Sequence, residues 1–86
     1  MHESHLVADL VARVESEVDP GSVRVSRLTL RVGALSSVSP AGLQHGIEHH
    51  TGRTWGYTPE VIVEPSFDIE EPGAVGVILT SIQVEG

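Results

Sequence analysis

The chain contains no cysteine. That absence excludes disulfides, thiolate zinc sites, iron–sulfur clusters and cysteine nucleophiles together, and it fits a cytoplasmic protein. Lysine is absent too: all five basic side chains are arginine, set against twelve Asp and Glu for a formal net charge of -7. So few cations leave little to neutralise phosphates, and nucleic acid is not an expected partner. Aromatic residues number one each of Trp, Tyr and Phe, too few for a platform on which bases or sugars stack. No apolar run approaches membrane-spanning length, and the first apolar stretch holds Asp9, Arg13 and Glu15, unlike a secretory signal. A membrane is therefore not expected as a partner. No Ser/His/Asp order, phosphate loop or paired carboxylates stand out, so no enzyme is expected.

What remains is an acidic chain of 86 residues with five histidines. A chain of this length buries about 60–68% of its unfolded surface, so it is read as a single domain, 1–86, with a small core. An acidic surface suits cations or a basic protein partner. The histidine count is the one compositional pointer to metal chemistry.

Leu6, Val7, Leu10, Val11, Val14 and Val18 recur at helical spacing, with Ser4 as expected N-cap. Asp19-Pro20-Gly21 should stop this helix. The run "SVRVSRLTLRV" alternates Leu28, Leu30 and Val32 with polar residues, the pattern of a strand with one wet face. Val23 and Val25 are out of phase with it, which a bulge near Ser26 would reconcile. Ser39-Pro40 is an N-cap and first residue for a second helix. There Leu43, Ile47 and His50 share a face, and Thr51-Gly52 is the expected end. Gly42 and Gly46 each weaken that helix by about 1 kcal/mol relative to Ala, and are expected to allow close packing on the sheet. Strands are expected over 58–64 and, in "VGVILTSIQVE", over 75–85. An acidic, proline-bounded link at about 65–74 joins them. The order is α-β-α-β-β. The expected fold is α/β (α+β), with two helices on one face of a three-stranded, mostly antiparallel sheet.

The start, "MHESH", holds the densest donor set. The Met1 amine and the His2 backbone nitrogen can close a five-membered chelate ring, and that nitrogen with the His2 imidazole a six-membered one. Planar amide and imidazole nitrogens suit Ni(II) or Cu(II), whereas Zn(II) prefers a tetrahedron. The Glu3 nitrogen or carboxylate, His5 or water could supply a fourth donor. Met1 must be retained, and a large residue at position 2 normally protects it. Amine and amides must also shed protons, so affinity should fall with pH. The plain alternative for His2 is an ordinary terminal residue.

Three motifs in order then resemble one family: "MHE" at the start, "LTLRVGALSSVSPAGL" in the middle and "TSIQVE" at the end. They look like the HypA/HybF family of nickel metallochaperones for NiFe-hydrogenase maturation. In the middle block the matching positions are Val32, Gly33, Leu35, Ser36, Val38, Pro40 and Leu43. The resemblance implies a Ni(II) cargo held by Met1, His2 and Glu3. It also implies delivery to a GTPase of that pathway and onward to the hydrogenase large subunit. The chain departs from the family in three places. No CxxC pairs fill the link between the last strands, so the zinc module is absent and no structural zinc is expected. Whether the chain is a natural short form or one from which that module was removed stays open. Ser4 and His5 follow "MHE" where the family has a hydrophobic and a small polar residue. His45, Gly46, His49 and His50 occupy a helix that is apolar or aromatic in the family. An adaptor of the same lineage that has lost metal transfer is the competing reading.

The other histidines divide by position. His45 and His49, at i and i+4, can form a second metal pair, with a solvated surface pair as the plain alternative. His50 is expected packed against the core. His5 either joins the His2 site or is a polar first-turn residue. The acidic run Asp68, Glu70 and Glu71 reads as a solvated linker. Trp55 and Tyr57 are expected to cap the core. A homodimer through exposed sheet edges, or by exchange of the last strand, is a further expectation.

Overall fold

Val7, Val11 and Val14, buried to 4% exposure or less, form the inner stripe of the first helix and the seed of the core. The computed structural model describes residues 3–66 and 76–85. In chain order these form α1 (Glu3–Glu17), β1 (Arg24–Val32), α2 (Pro40–Thr54), β2 (Glu60–Pro65) and β3 (Val77–Glu85). Sheet order is β2-β1-β3, with β1 parallel to β2 across α2 and antiparallel to β3. The sheet is mixed. The antiparallel ladder, from Arg24↔Glu85 to Val32↔Val77, is the longer of the two. Leu10, Val11 and Val14 of α1, Ile47 of α2, Leu28 and Leu30 of β1 and Leu79 of β3 meet around one small apolar void. Both helices therefore lie on one face of the sheet, as expected.

The phase slip in β1 is real. The register shifts between Val25 and Arg27, leaving Ser26 as the extra residue. This lets Val25 stay buried beside Leu28, Leu30 and Val32. A second shift opposite Thr29/Leu30 makes Thr80 the extra residue on β3. Each bulged residue spends its hydroxyl across the ladder: Ser26 Oγ donates to the Gln83 carbonyl at 3.1 Å, and Thr80 Oγ1 to the Thr29 carbonyl at 3.0 Å. The bulge also places the Val25 amide within 2.9 Å of the Tyr57 hydroxyl, which itself donates to the Pro20 carbonyl at 2.9 Å. The Arg24 guanidinium lies 4.5 Å from the Tyr57 ring centroid. Trp55 packs on Tyr57 at 5.7 Å and donates its indole N–H to Glu15 at 2.8 Å. Trp55 and Tyr57 thus cap the core at the far end of the helices.

Five local expectations change. α1 already includes Ser4, so Ser4 lies inside the helix instead of capping it. Ser39 does cap α2, its Oγ accepting the Gly42 amide at 3.2 Å. That helix, however, runs through Gly52 to Thr54. Thr51 is fully buried and donates to the Ile47 carbonyl at 2.8 Å, which removes any reason to stop there. The helix instead closes with the Trp55 amide on the Thr51 carbonyl at 2.7 Å, and Gly56 at φ 81° turns the chain away. Thr51, not His50, is the third core residue of α2, and His50 is half-buried. Gly46 faces α1 rather than the sheet: a Cβ there would stand 2.8 Å from Val7 Cγ2. The later strands begin at Glu60 and Val77, and residue 75 and most of the link lie outside the described residues.

After α1, the Asp19 carboxylate accepts the Gly21 amide at 2.9 Å and the Ser22 hydroxyl at 2.8 Å, an Asx turn that fixes the reversal into β1. The Ser22 hydroxyl, and next the Gly21 amide, hold the Asp19 carboxyl below its ordinary 3.8. Because the folded value is lowered, the turn's stabilisation is complete above the ordinary carboxyl range. It is lost as pH falls through the lowered value. A carboxyl NMR titration should find the Asp19 midpoint below its ordinary 3.8, and Ser22→Ala should move it back up. An Asp19 midpoint at the ordinary value, or one that Ser22→Ala leaves unmoved, would contradict the turn.

Gly46→Ala tests the helix contact. The gain in helix propensity, about 1 kcal/mol, is outweighed by overpacking against a stiff valine, about 1–3 kcal/mol. Urea unfolding should show net destabilisation, relieved in the Gly46→Ala/Val7→Ala double variant relative to the sum of the singles. Additive effects would contradict direct contact.

Candidate metal centre

Two contacts orient the helix pair. Val7, in the second turn of α1, meets Gly46 midway along α2, and further on Glu15 meets Trp55 at the ends of both helices. α1 and α2 therefore run in the same direction. α2 descends from the carboxyl end of β1 to the start of β2, so both helices begin at that carboxyl end. The same end gathers Val32 paired with Val77 and Pro65, the Gly33 amide on the Gly76 carbonyl at 2.8 Å, and the Ser66 amide on the Val32 carbonyl at 2.8 Å. The first turn of α1, the 33–39 loop, the capped start of α2, the end of β2 and the beginning of β3 converge there. Leu35, in that loop, is 57% exposed.

Met1 and His2, two of the expected ligands, lie outside the described residues. Glu3 is the first residue of α1, but its side chain and that of Ser4 are likewise outside the description. His5 is exposed in the first turn. The helix start bears on the chemistry in two ways. The first amides of a helix have no intrahelical acceptor, so the Glu3 nitrogen is not committed to the helix ladder. The positive end of the helix dipole disfavours a bare cation. A donor set that sheds amide protons on binding offsets that penalty, because the ion then carries little net charge. A carboxylate at Glu3 acts in the same sense.

His45 and His49 are both exposed on α2, and His50 is half-buried. Among the described residues, no three His, Cys, Asp or Glu side chains converge as a ready-made metal cluster. The acidic run Asp68, Glu70 and Glu71 lies outside the described residues. At the opposite end, a depression lined by Glu15, Asp19, Pro20, Gly21, Thr54 and Trp55 holds two carboxylates. Both are already engaged, Glu15 by Trp55 and Asp19 by Gly21 and Ser22. A shallow groove between α1 and β3 has an apolar floor of Leu6, Leu10, Val77 and Leu79, with Asp9 and Arg13 on its rim. It lacks a ligand set. No described helix is long and apolar enough to cross a membrane.

Reading the sequence missed the convergence at one end, because that depends on which way α1 lies on α2. The signal was present in Gly46, whose missing side chain admits Val7. Comparison with protein-family models, with curated proteins and with solved structures returns no match.

Proposed function

We propose that this chain is a nickel-binding accessory protein resembling the HypA/HybF metallochaperones, with Ni(II) as cargo rather than as a resident cofactor. The Met1-His2-Glu3 donor set leading into α1 carries this reading. The Met1 amine, the His2 amide nitrogen and the His2 imidazole hold the ion in a plane, and a Glu3 donor or His5 completes it. Uncommitted amides at the helix start support it. So does the folding of the middle motif: Val32 and Leu43 are buried anchors on either side of a loop at that same end. A cytoplasmic location, and handover to a GTPase and then to a hydrogenase large subunit, follow from the resemblance.

Binding must release protons from the amine, whose reference pKa is about 7.7–8.0, and from the amides. A modest fall in pH or competition by a stronger acceptor then frees the ion. That lability suits a carrier. An adaptor that keeps the partner surface without carrying metal is the second reading, favoured by the absence of any cysteine for a zinc module.

Calorimetry with Ni(II) separates the two, on protein whose intact mass shows Met1 as the first residue. Wild type should bind one tight equivalent, weakening as pH falls below the amine range, and His2→Ala should lose it. No binding by wild type, or equal binding by the variant, would leave the adaptor.

A further inference from the structure

α2 displays two imidazoles that the fold does not use. His45 and His49 are exposed, and neither ring has a hydrogen-bonding or charged partner among the described residues. They sit one turn apart, which places their Cβ atoms about 5–6 Å from each other. Two rings so spaced can reach neighbouring positions on a single ion.

The helix under them is held firmly. Leu43, Ile47 and Thr51 are buried at 1% exposure or less on its inner side. Ser39 caps its start, and the Trp55 amide closes its end. The pair is therefore positioned before any ligand arrives, and binding orders only the two side chains. Glu48, between them in sequence, lies 3.4 Å from the Gln44 amide on a neighbouring stripe of the helix, and the pair itself supplies two protein ligands. Arg53, a further turn along the same stripe, opposes cation binding and keeps the affinity low.

We infer that His45 and His49 form a second, weaker site for a borderline divalent cation such as Ni(II), Cu(II) or Zn(II), with water completing its shell. The site differs in kind from the N-terminal one. Deprotonated amides in a plane force Ni(II) into its diamagnetic, low-spin state. Two neutral imidazoles and water leave it octahedral and paramagnetic. The inference rests on the surface of α2 alone and does not require the N-terminal reading.

The spin difference supplies the test. The full ¹⁵N-labelled chain is titrated with nickel chloride and followed by NMR, as wild type, His2→Ala, His45→Gln and His49→Gln. Amides over 44–50 should broaden saturably in both proteins, beyond the first equivalent in wild type and from the first additions in His2→Ala. Each glutamine variant should raise the nickel concentration for half-broadening by about tenfold or more, because a lone surface imidazole cannot chelate. The two positions are exposed, so helix content by circular dichroism should not change. Broadening at His45 and His49 no earlier than around the lone His5 of His2→Ala, or single variants equal to wild type, overturns the inference. Loss of the diamagnetic step with this one intact overturns only the N-terminal reading.

Discussion

Val7 and Gly46 approach so closely that no side chain fits between the two helices at their crossing. The contact does more than pack two surfaces. Together with the Trp55–Glu15 bond it lays α1 alongside α2 in the same direction, and α2 is already fixed by its role as the crossover between parallel strands β1 and β2. The start of α1 is thereby carried to the carboxyl end of those strands. Without a glycine at 46 the helices would stand further apart, and Val7, Val11 and Val14 would lose their place over β1. A core this small has few other apolar groups to compensate.

β1 is the second fixed point. It is the central strand, paired on both edges, and its inner face holds Val25, Leu28, Leu30 and Val32. The Ser26 bulge keeps all four on that face, and the exposed Arg27–Glu60 pair at 2.8 Å adds little beyond it. Tyr57 ties the bulge to the turn after α1, so the end opposite the candidate metal centre is closed by hydrogen bonds and a tilted pair of aromatic rings. Polar capacity there is consumed internally. At the candidate metal end, the first amides of α1 and the exposed Leu35 in the 33–39 loop remain available. The asymmetry between a sealed end and an open one gives the fold a physical basis for a single working end.

Much of this was legible in the sequence where a local rule had no competitor. The phase slip between Val25 and Leu28 announced the Ser26 bulge, and Ser39-Pro40 announced the start of α2. The Thr80 bulge was not legible, because Thr80 and Ser81 are both polar and exposed on an edge strand, where a shift of phase changes nothing in the hydropathy pattern. Thr51-Gly52 looked like a terminus because Gly usually ends a helix. Burial of Thr51 and its bond to Ile47 overrode that preference. For the candidate site, residue types and chelate spacing were readable at Met1, His2 and Glu3. The neighbours of α1's first turn were not, since they are set by contacts between residues some forty positions apart, such as Val7 with Gly46 and Glu15 with Trp55.

The central claim is that the start of α1 takes the ion at the open end of the fold. An amide chemical-shift map of the chain with one equivalent of Ni(II) tests it most directly. The account predicts sharp, shifted signals at Glu3 to Val7 and in the neighbouring 33–39 loop and first turn of α2, with the Trp55 and Tyr57 region unmoved. Shifts centred on that sealed end, or a first equivalent that broadens signals instead of shifting them, would contradict it.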